Sequence, residues 1–478
     1  MAHIGLPIAE RAAREGASVA LVLRSGATVD YAALDASTRS VAARLRAAGV
    51  DAGMIVALDL ASPRASLVAI LAIARLGAAA ASLALPESFA SRHVADPGVP
   101  SRRGSPSIAF DPAWLTQRPP PGDEPLVGDD DAIAIVHASS GTTGLPRGVA
   151  VSHARLAARV ATLSAALPMA ERARVLCTAR AISCYGFDTC LRVLHGGGTL
   201  VLASSTEDVM TALARDRVAH LTLNPFWVER LVSSAPAGGR PHASLARLEC
   251  AGSHLARPLA NAARRRLCDE IWNHYGTTEA GCIGAARLRD LDLEADATIL
   301  AAPGVDVGAI DAAGAPLPPG KHGRLRARGP GFVDRYVDDD VASANAFRDG
   351  WHLTADEGTV STGGALHLGG RLGESINVGG YKLSPRVIED ALLSIDGVRD
   401  AAAFGVPTGS GVDELWAAVV IEPAARRATL SRDVSAQLGA LAPRVLVAID
   451  AIPRNDAGKV RRDELIARAR AEHSPTDG

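Results

Sequence analysis

Residues 137–149 of this 478-residue chain read HASSGTTGLPRGV, a run whose residue types suit a polyphosphate. Ser139, Ser140, Thr142 and Thr143 supply hydroxyls. Gly141, Gly144 and Gly148 let the backbone bend where a β-carbon would clash. Successive N–H groups of such a bend form a concavity that wraps phosphate oxygens, and Arg147 adds a positive charge at its exit. The GxxxxGK[ST] order of a Walker A loop is absent, so a different phosphate cradle is expected. Three further segments carry candidate chemistry: NHYGTTEAG at 273–281, GWHLTADEG at 350–358 with Gly370-Arg371 beyond it, and PRNDAGKVRR at 453–462. Read one at a time, each is an ordinary strand end, surface charge pair or solvated basic tail.

Read together and in order, S-S-G-T-T-G-x-P-R-G, Y-G-T-T-E, W-x-x-T-x-D and G-K-V-x-R resemble the adenylate-forming superfamily of acyl- and aryl-CoA synthetases, luciferases and peptide-synthetase adenylation domains. The resemblance extends over nearly the whole chain, with Tyr31–Val50 and Leu71–Leu85 similar to the family's first two motifs. It implies that residues 139–144 and Arg147 bind ATP phosphates, with Thr142 taking part in catalysis. It implies that Asn273, Tyr275, Gly276, Thr277 and Thr278 wall the nucleotide, with Tyr275 against adenine and Thr278 at the α-phosphate, and that Gly252 lies along the adenine edge. Glu279 then holds Mg²⁺, a hard cation that prefers carboxylate and phosphate oxygens. Asp356 accepts from both ribose hydroxyls and Arg371 donates with its rigid fork. Ala355 stands where the family has Gly, and Gly373 where its hinge has Asp or Lys.

The same resemblance makes Lys459 the catalytic lysine. Attack of a carboxylate on the α-phosphate builds negative charge on the phosphoryl oxygens and the leaving pyrophosphate, and an ammonium placed there stabilises it. Gly379, Gly380 and Tyr381, in INVGGYKLSPRVIE, are expected to line a thiol tunnel after a domain swing. Lys382 and Arg386 in that segment could meet CoA phosphates, though solvent exposure accounts for them as well. No Gly-Gly-x-Ser carrier segment follows Lys459, so the expected acceptor is free CoA or the phosphopantetheine of a separate carrier protein.

The acid itself is less legible. Phe187 and Asp188 in YGFDTC occupy the place where amino-acid-activating relatives set an Asp against the substrate amine. Arg192, Ala251, Trp272 and His274 are the other candidates for the acid pocket. A buried Asp188 needs a cation, either a substrate ammonium or Arg192 one turn on; a free Arg192 would instead suit a second carboxylate. Trp272 and His274 would shorten the pocket and disfavour long fatty chains.

These segments need a scaffold that presents them to one nucleotide. At 478 residues the chain is too long for one core. Tyr31–Gly49 has a helical period ending in Gly, Ile55–Leu60 reads as a strand, Leu67–Leu76 as a buried helix, and Ala80–Ala84 and Ala132–Ala138 as strands, an alternation that argues for α/β layers. Residues 96–131, rich in Pro, Gly and Asp, read as a surface crossing, and 304–368 as short β pieces. The expected fold class is α/β: a large N-terminal domain (1–372) of layered α/β subdomains with a β-rich subdomain, then a small mobile α+β domain (373–478). The latter reads as strand 375–378, helix Pro385–Leu393, strands 400–406 and 415–422, helix 431–441, strand 444–447 and a basic tail. A net charge of -2 provides no footprint for nucleic acid or an anionic membrane. Arg75 and Gly77 interrupt the most apolar run, Leu67–Leu85, and no signal peptide opens the sequence. Six cysteines without metal spacing suit reduced thiols in a cytoplasmic protein.

Overall fold

Runs of Ala, Val, Leu and Ile that alternate with capped helices build two sheets with helices packed between them. The structure is a computed structural model and describes residues 3–99, 106–119, 126–127, 129–139, 146–235, 242–253, 255, 257–288, 298–372, 376–378, 381–383, 385–407, 413–421, 427–455 and 458–473. The smaller of the two sheets runs Ser107–Ala109, Arg92–Ala95, Ile55–Asp59, Ala79–Ser82, Ile133–Ala138, Gly148–Ser152. The larger begins Thr28–Asp30, Val19–Val22, Thr199–Val201, Arg174–Cys177, His220–Leu223, Arg247–Cys250, Glu270–Thr277. From Val19–Val22 to Glu270–Thr277 its strands are parallel. At Glu270–Thr277 the pairing turns antiparallel and continues through Gly281–Arg287, Ile299–Ala301, Ala365–Arg371, Trp351–Val360, Gly323–Arg328 and Asp306–Ile310.

One apolar cluster joins the two sheets through helices Tyr31–Ala47, Pro63–Arg75 and Cys184–His195. The middle one begins at an N-cap, Ser62, whose hydroxyl accepts from the Ala65 amide at 3.3 Å. Every residue from Ala65 to Arg75 is buried, the pattern of a helix enclosed on all sides. Each fully buried Leu, Ile or Val there contributes about 1.5–3 kcal/mol of transfer free energy.

The small C-terminal unit is a three-stranded sheet, Val398–Pro407, Asp413–Ile421 and Val445–Ala448, with helices Pro385–Leu393, Arg427–Leu438 and Arg462–His473. A hairpin of Ile376–Val378 and Tyr381–Leu383 precedes it. The layered α/β body with its smaller α+β partner is the architecture the sequence implies. Two local readings are corrected. The basic tail read there is a helix over 462–473, because Leu465 and Ala469, four apart, bury one narrow stripe. Residues 96–131 are more than a surface crossing: Ser107–Ala109 adds a strand, and Phe110 is fully buried in the core.

Candidate active site

The parallel half of the large sheet meets its antiparallel half at Glu270–Thr277, and the strand ends there gather the candidate residues. Crevices at the carboxyl ends of parallel strands are the usual ligand sites of open α/β sheets. Tyr275 is buried on this strand, and its hydroxyl donates to Asp356 Oδ2 at 2.8 Å. Asp356 pairs in register with Arg371 across two antiparallel strands, and Arg371 Nε lies 3.3 Å from Asp356 Oδ1. Thr354 Oγ1 accepts from the Asp356 amide at 3.1 Å. Burial, then the Asp356 carboxylate, keeps the Tyr275 hydroxyl protonated, with its pKa well above the ordinary phenol value. Three residues distant in sequence thus form one aromatic–carboxylate–guanidinium set.

Glu279 sits in the turn after this strand and is 8% exposed. Tyr336 donates its hydroxyl to Glu279 Oε1 at 2.9 Å. Burial raises the Glu279 carboxyl, but His352, its own backbone amide, Tyr336 and Thr277 outweigh burial and hold it below the ordinary carboxylate range. His352 Nε2 lies 3.8 Å from Glu279 Oε2 and 3.2 Å from Thr277 Oγ1. Burial lowers the His352 pKa, so near neutrality its ring is uncharged and Tyr336 is the firmer of the two partners. A pre-oriented, ionised carboxylate with hard oxygens fits Mg²⁺; among the described residues no group of three or more His, Cys, Asp or Glu gathers as a metal cluster.

The turn that carries Glu279 is held by a residue the motif reading passed over. Arg159 is almost fully buried. Its Nε donates to Gly331 O at 2.9 Å, and one terminal nitrogen reaches Thr278 O at 3.2 Å and Glu279 O at 2.8 Å. Gly281, at φ +69, and Gly331, at φ +82, both press on this side chain: a β-carbon on Gly331 would come 2.8 Å from Arg159 Cγ. The signal was present in the spacing, since His153, Leu156, Val160 and Leu163 mark the buried face on which Arg159 falls.

Of the phosphate-loop candidates, Ser140, Gly141, Thr142, Thr143 and Gly144 lie outside the described residues. Ser139 is buried, and its hydroxyl accepts from the Arg147 amide at 3.3 Å. Arg147 Nε contacts Asp339 Oδ2 at 3.1 Å, and its guanidinium stacks 5.5 Å from the Tyr336 ring. The loop exit is thereby joined to the residue that orients Glu279. Asn273 and Ala251 are buried, and Gly252 is exposed at φ +94. Gly276 admits no side chain, since a β-carbon would collide with the Gly281 carbonyl.

Lys459 lies in a turn closed by Asn455: the Lys459 amide donates to Asn455 Oδ1 at 2.9 Å, and the Asn455 amide to Lys459 O at 2.8 Å. A β-carbon on Gly458 would stand 3.3 Å from the Asn224 side-chain nitrogen. Asn224 caps helix Pro225–Ser234 directly after strand His220–Leu223. The lysine-bearing turn of the small unit therefore lies against the carboxyl end of an interior strand of the same sheet. Arg386 Nη1 also donates to Leu368 O of the large unit at 2.8 Å, so it is tied to protein rather than standing free for a CoA phosphate. Gly373, Glu374, Gly379 and Gly380 lie outside the described residues, as do the side chains of Tyr381 and Lys382.

The acid-pocket candidates divide. Asp188 is buried and turned toward Arg159 and Gly281, with Oδ2 3.7 Å from Cys184 Sγ; burial pushes its pKa up to about 6, against the lowering effect of Arg159. Arg192 is neither its partner nor free. Arg192 binds Glu249 Oε2 at 2.6 Å, and both side chains are 1% exposed. Phe187 packs wholly into the core, because adjacent helical residues diverge by about 100°. Trp272 stands upstream of His274 on the strand, its indole N–H on Glu270 at 2.8 Å and the Arg247 and Arg287 guanidinium groups over its ring. His274, 8% exposed, meets the Tyr185 ring at 5.1 Å.

Comparison with known proteins places the chain in a recognised group. A sequence profile described as "AMP-binding enzyme" matches residues 86–337, and one described as "AMP-binding enzyme C-terminal domain" matches residues 387–459. The chain is similar to a feruloyl-CoA synthase from an Amycolatopsis species, 28% identical with 95% of this chain and 97% of that protein aligned. It is also similar to surfactin synthase subunit 2 of Bacillus subtilis, 26% identical over 95% of this chain but 14% of that much longer protein. Among solved structures, ATP-bound MatB from Rhodopseudomonas palustris has the same fold, with a TM-score of 0.86, 22% identity and 98% of each chain covered.

Proposed function

We propose, from the premise that this chain belongs to the AMP-binding enzyme family, that it activates an aryl or short-chain carboxylic acid as its acyl-adenylate and then transfers the acyl group to CoA. It is an AMP-forming acid–thiol ligase. The observation that carries the reading is placement: Tyr275 with its Asp356–Arg371 partners, the Tyr336-held Glu279 and the Lys459 turn beside Asn224 all lie toward the carboxyl ends of neighbouring strands of the large sheet.

Each group has a chemical task there. Asp356 accepts from the ribose hydroxyls while Arg371 and the Tyr275 hydroxyl fix its two oxygens. Glu279 would hold Mg²⁺, which would supply positive charge against the phosphates. The hydroxyls and amides of 139–144, with Thr142, cradle the phosphates. Lys459 places an ammonium where charge develops as the acid's carboxylate attacks the α-phosphate and pyrophosphate leaves; such pre-placed donors are worth about 10²–10³ in rate. The division into 1–372 and 373–478, the swing about Gly373, and a tunnel past Gly379, Gly380 and Tyr381 for the thiol belong to the same reading.

A second reading is loading of an amino or aryl acid onto the phosphopantetheine of a separate carrier protein. Asp188 favours it, because Asp188 Oδ1 is buried without a hydrogen-bond partner among the described residues and would suit a substrate ammonium. An acid-dependent ATP–pyrophosphate exchange screen over aryl, short acyl, dicarboxylic and amino acids tests activation. Product analysis with CoA against a phosphopantetheinylated carrier then separates the acceptors. Absence of exchange with every acid would defeat both readings.

A further inference from the structure

A single guanidinium joins three chain segments that meet around Glu279. Helix His153–Ala166 begins directly after strand Gly148–Ser152, the strand that leaves the phosphate loop. Arg159 stands on the buried face of that helix and is 1% exposed. Its Nε donates to the Gly331 carbonyl at 2.9 Å, and Nη2 donates to the Thr278 and Glu279 carbonyls at 3.2 and 2.8 Å. Nη1 donates to Cys184 Sγ at 3.4 Å, and Asp188 Oδ2 lies 3.7 Å from the same sulfur. A buried charge is costly unless it is paired and hydrogen-bonded. Here the donors of the fork go chiefly to backbone carbonyls, so the guanidinium holds the chain path of its neighbours.

The carbonyls it holds belong to the residues with the most exacting tasks. Besides Arg159, the Thr278 carbonyl has among the described residues only the Cys184 sulfur near it, at 3.8 Å. The Glu279 carbonyl accepts a second bond, from the Val333 amide at 3.0 Å. Val333 follows Gly331 in the loop that also carries Tyr336, whose hydroxyl donates to the Glu279 carboxylate. The turn and the loop that orients its carboxylate are thus tied to each other and to one side chain. Contact with the helix is direct, since a β-carbon on Gly331 would stand 2.6 Å from the Arg155 carbonyl. A lysine has its three donors on one atom, whereas these carbonyls are reached from separate nitrogens of a planar fork. Arg155, one turn earlier, makes a contrasting contact. Its Nη2 meets Asp334 Oδ2 at 2.9 Å, with the two side chains 34% and 66% exposed. Arg155 joins the same helix to the same loop without touching the turn.

We propose that Arg159 is a positioning residue of the nucleotide site: its guanidinium sets the turn that carries Thr278 and Glu279, and the loop that carries Tyr336, in the geometry that Mg–ATP requires. The proposal rests on the acid-activating reading and adds to it a residue that touches no substrate. The test compares the full chain with Arg159→Lys, Arg159→Met and Arg155→Met. Pyrophosphate exchange gives kcat and the KM for the acid, calorimetry of ATP binding against Mg²⁺ without acid is independent of turnover, and thermal melting reads the fold. Arg159→Lys keeps the charge and the aliphatic stem, so it serves if Arg159→Met fails to fold. In both Arg159 variants kcat should fall about 10²-fold, and the Mg²⁺ needed for half-maximal ATP binding should rise about tenfold or more. The KM for the acid should move less than about threefold. Arg155→Met loses only an exposed pair and should stay within about twofold of the parent in every reading. An Arg159→Lys protein with parental kcat and Mg²⁺ dependence overturns the proposal. So does a lowered melting temperature with both quantities unchanged, which is a structural role alone, or an Arg155→Met protein as impaired as Arg159→Met. If no acid supports exchange in the parent chain, the ligase reading fails. The Mg²⁺ dependence of ATP binding then still decides this proposal: a shift in Arg159→Lys supports it, and no shift overturns it. A parent chain that binds no ATP overturns both.

Discussion

Replacing Tyr336 by Phe removes a single oxygen and isolates what orients Glu279. The ring contacts remain available to Phe: Phe347 at 5.3 Å between centroids and the Arg147 guanidinium at 5.5 Å. What disappears is the hydroxyl that donates to Glu279 Oε1 at 2.9 Å in a buried setting. A hydrogen bond to a charged acceptor is worth about 1.5–3 kcal/mol, which at about 1.4 kcal/mol per decade is about 10- to 150-fold in a binding constant. Partners that orient a metal-binding carboxylate are typically worth about 10- to 100-fold in metal affinity, so the two routes agree. The assay is a Mg²⁺ titration of acid-dependent pyrophosphate exchange. The apparent Mg²⁺ constant should rise about 10- to 100-fold in Tyr336→Phe, with turnover at saturating Mg²⁺ much less affected. The pH dependence has a definite sign. In the folded protein Glu279 is held below its ordinary pKa, so its favourable contribution is present above the unfolded pKa and lost as pH falls through the folded one. Loss of the Tyr336 donor moves the folded pKa upward, and the acid limb of activity should shift to higher pH. An unchanged Mg²⁺ constant together with an unmoved acid limb would refute the reasoning that Tyr336 serves the metal carboxylate.

Lys459→Ala should reduce adenylate formation about 10²–10³-fold while Mg–ATP affinity and the unfolding temperature hold, measured by exchange, calorimetry and thermal melting; near-wild-type exchange would end its assignment. Arg192→Met leaves Glu249 charged and buried and should lower stability by about 3–5 kcal/mol, whereas Arg192→Met with Glu249→Met should recover most of it; urea unfolding reads both, and a stable single variant would contradict the pairing. Asp188 carries a raised pKa of about 6, because burial penalises its charge. Stability from its protonated form is therefore greatest below about pH 4 and declines as pH rises to about 6. Asp188→Asn should remove that decline and gain about 3 kcal/mol at pH 7.5, and a flat difference between the two proteins across pH 4–7 would count against it.

Sequence by itself determined the parts whose chemistry is local. Helix Pro385–Leu393 is read to the residue, and the strands near 55–59, 133–138 and 445–448 lie within a residue or two of their places, since their apolar periods and stop signals sit inside short windows. The glycines and hydroxyls of 139–148, and the order of the four charged segments, need no tertiary information either, because backbone bends demand particular residues. What only the folded chain decided is partnership between strands and helices far apart in sequence. Arg192 and Glu249 are separated by 57 positions, and strand register alone brings Glu249 beneath the helix, taking Arg192 away from Asp188. Tyr275 and Asp356, 81 positions apart, meet although their strands are not neighbours in the sheet. Arg159 looks in sequence like any helical arginine, and its role comes from three carbonyls contributed by two other loops. Phe187 and Asp188 are neighbours in the chain, yet helix geometry sends one to the core and the other toward Arg159. A sequence records each group's capacity to bond, and the sheet decides which group it meets.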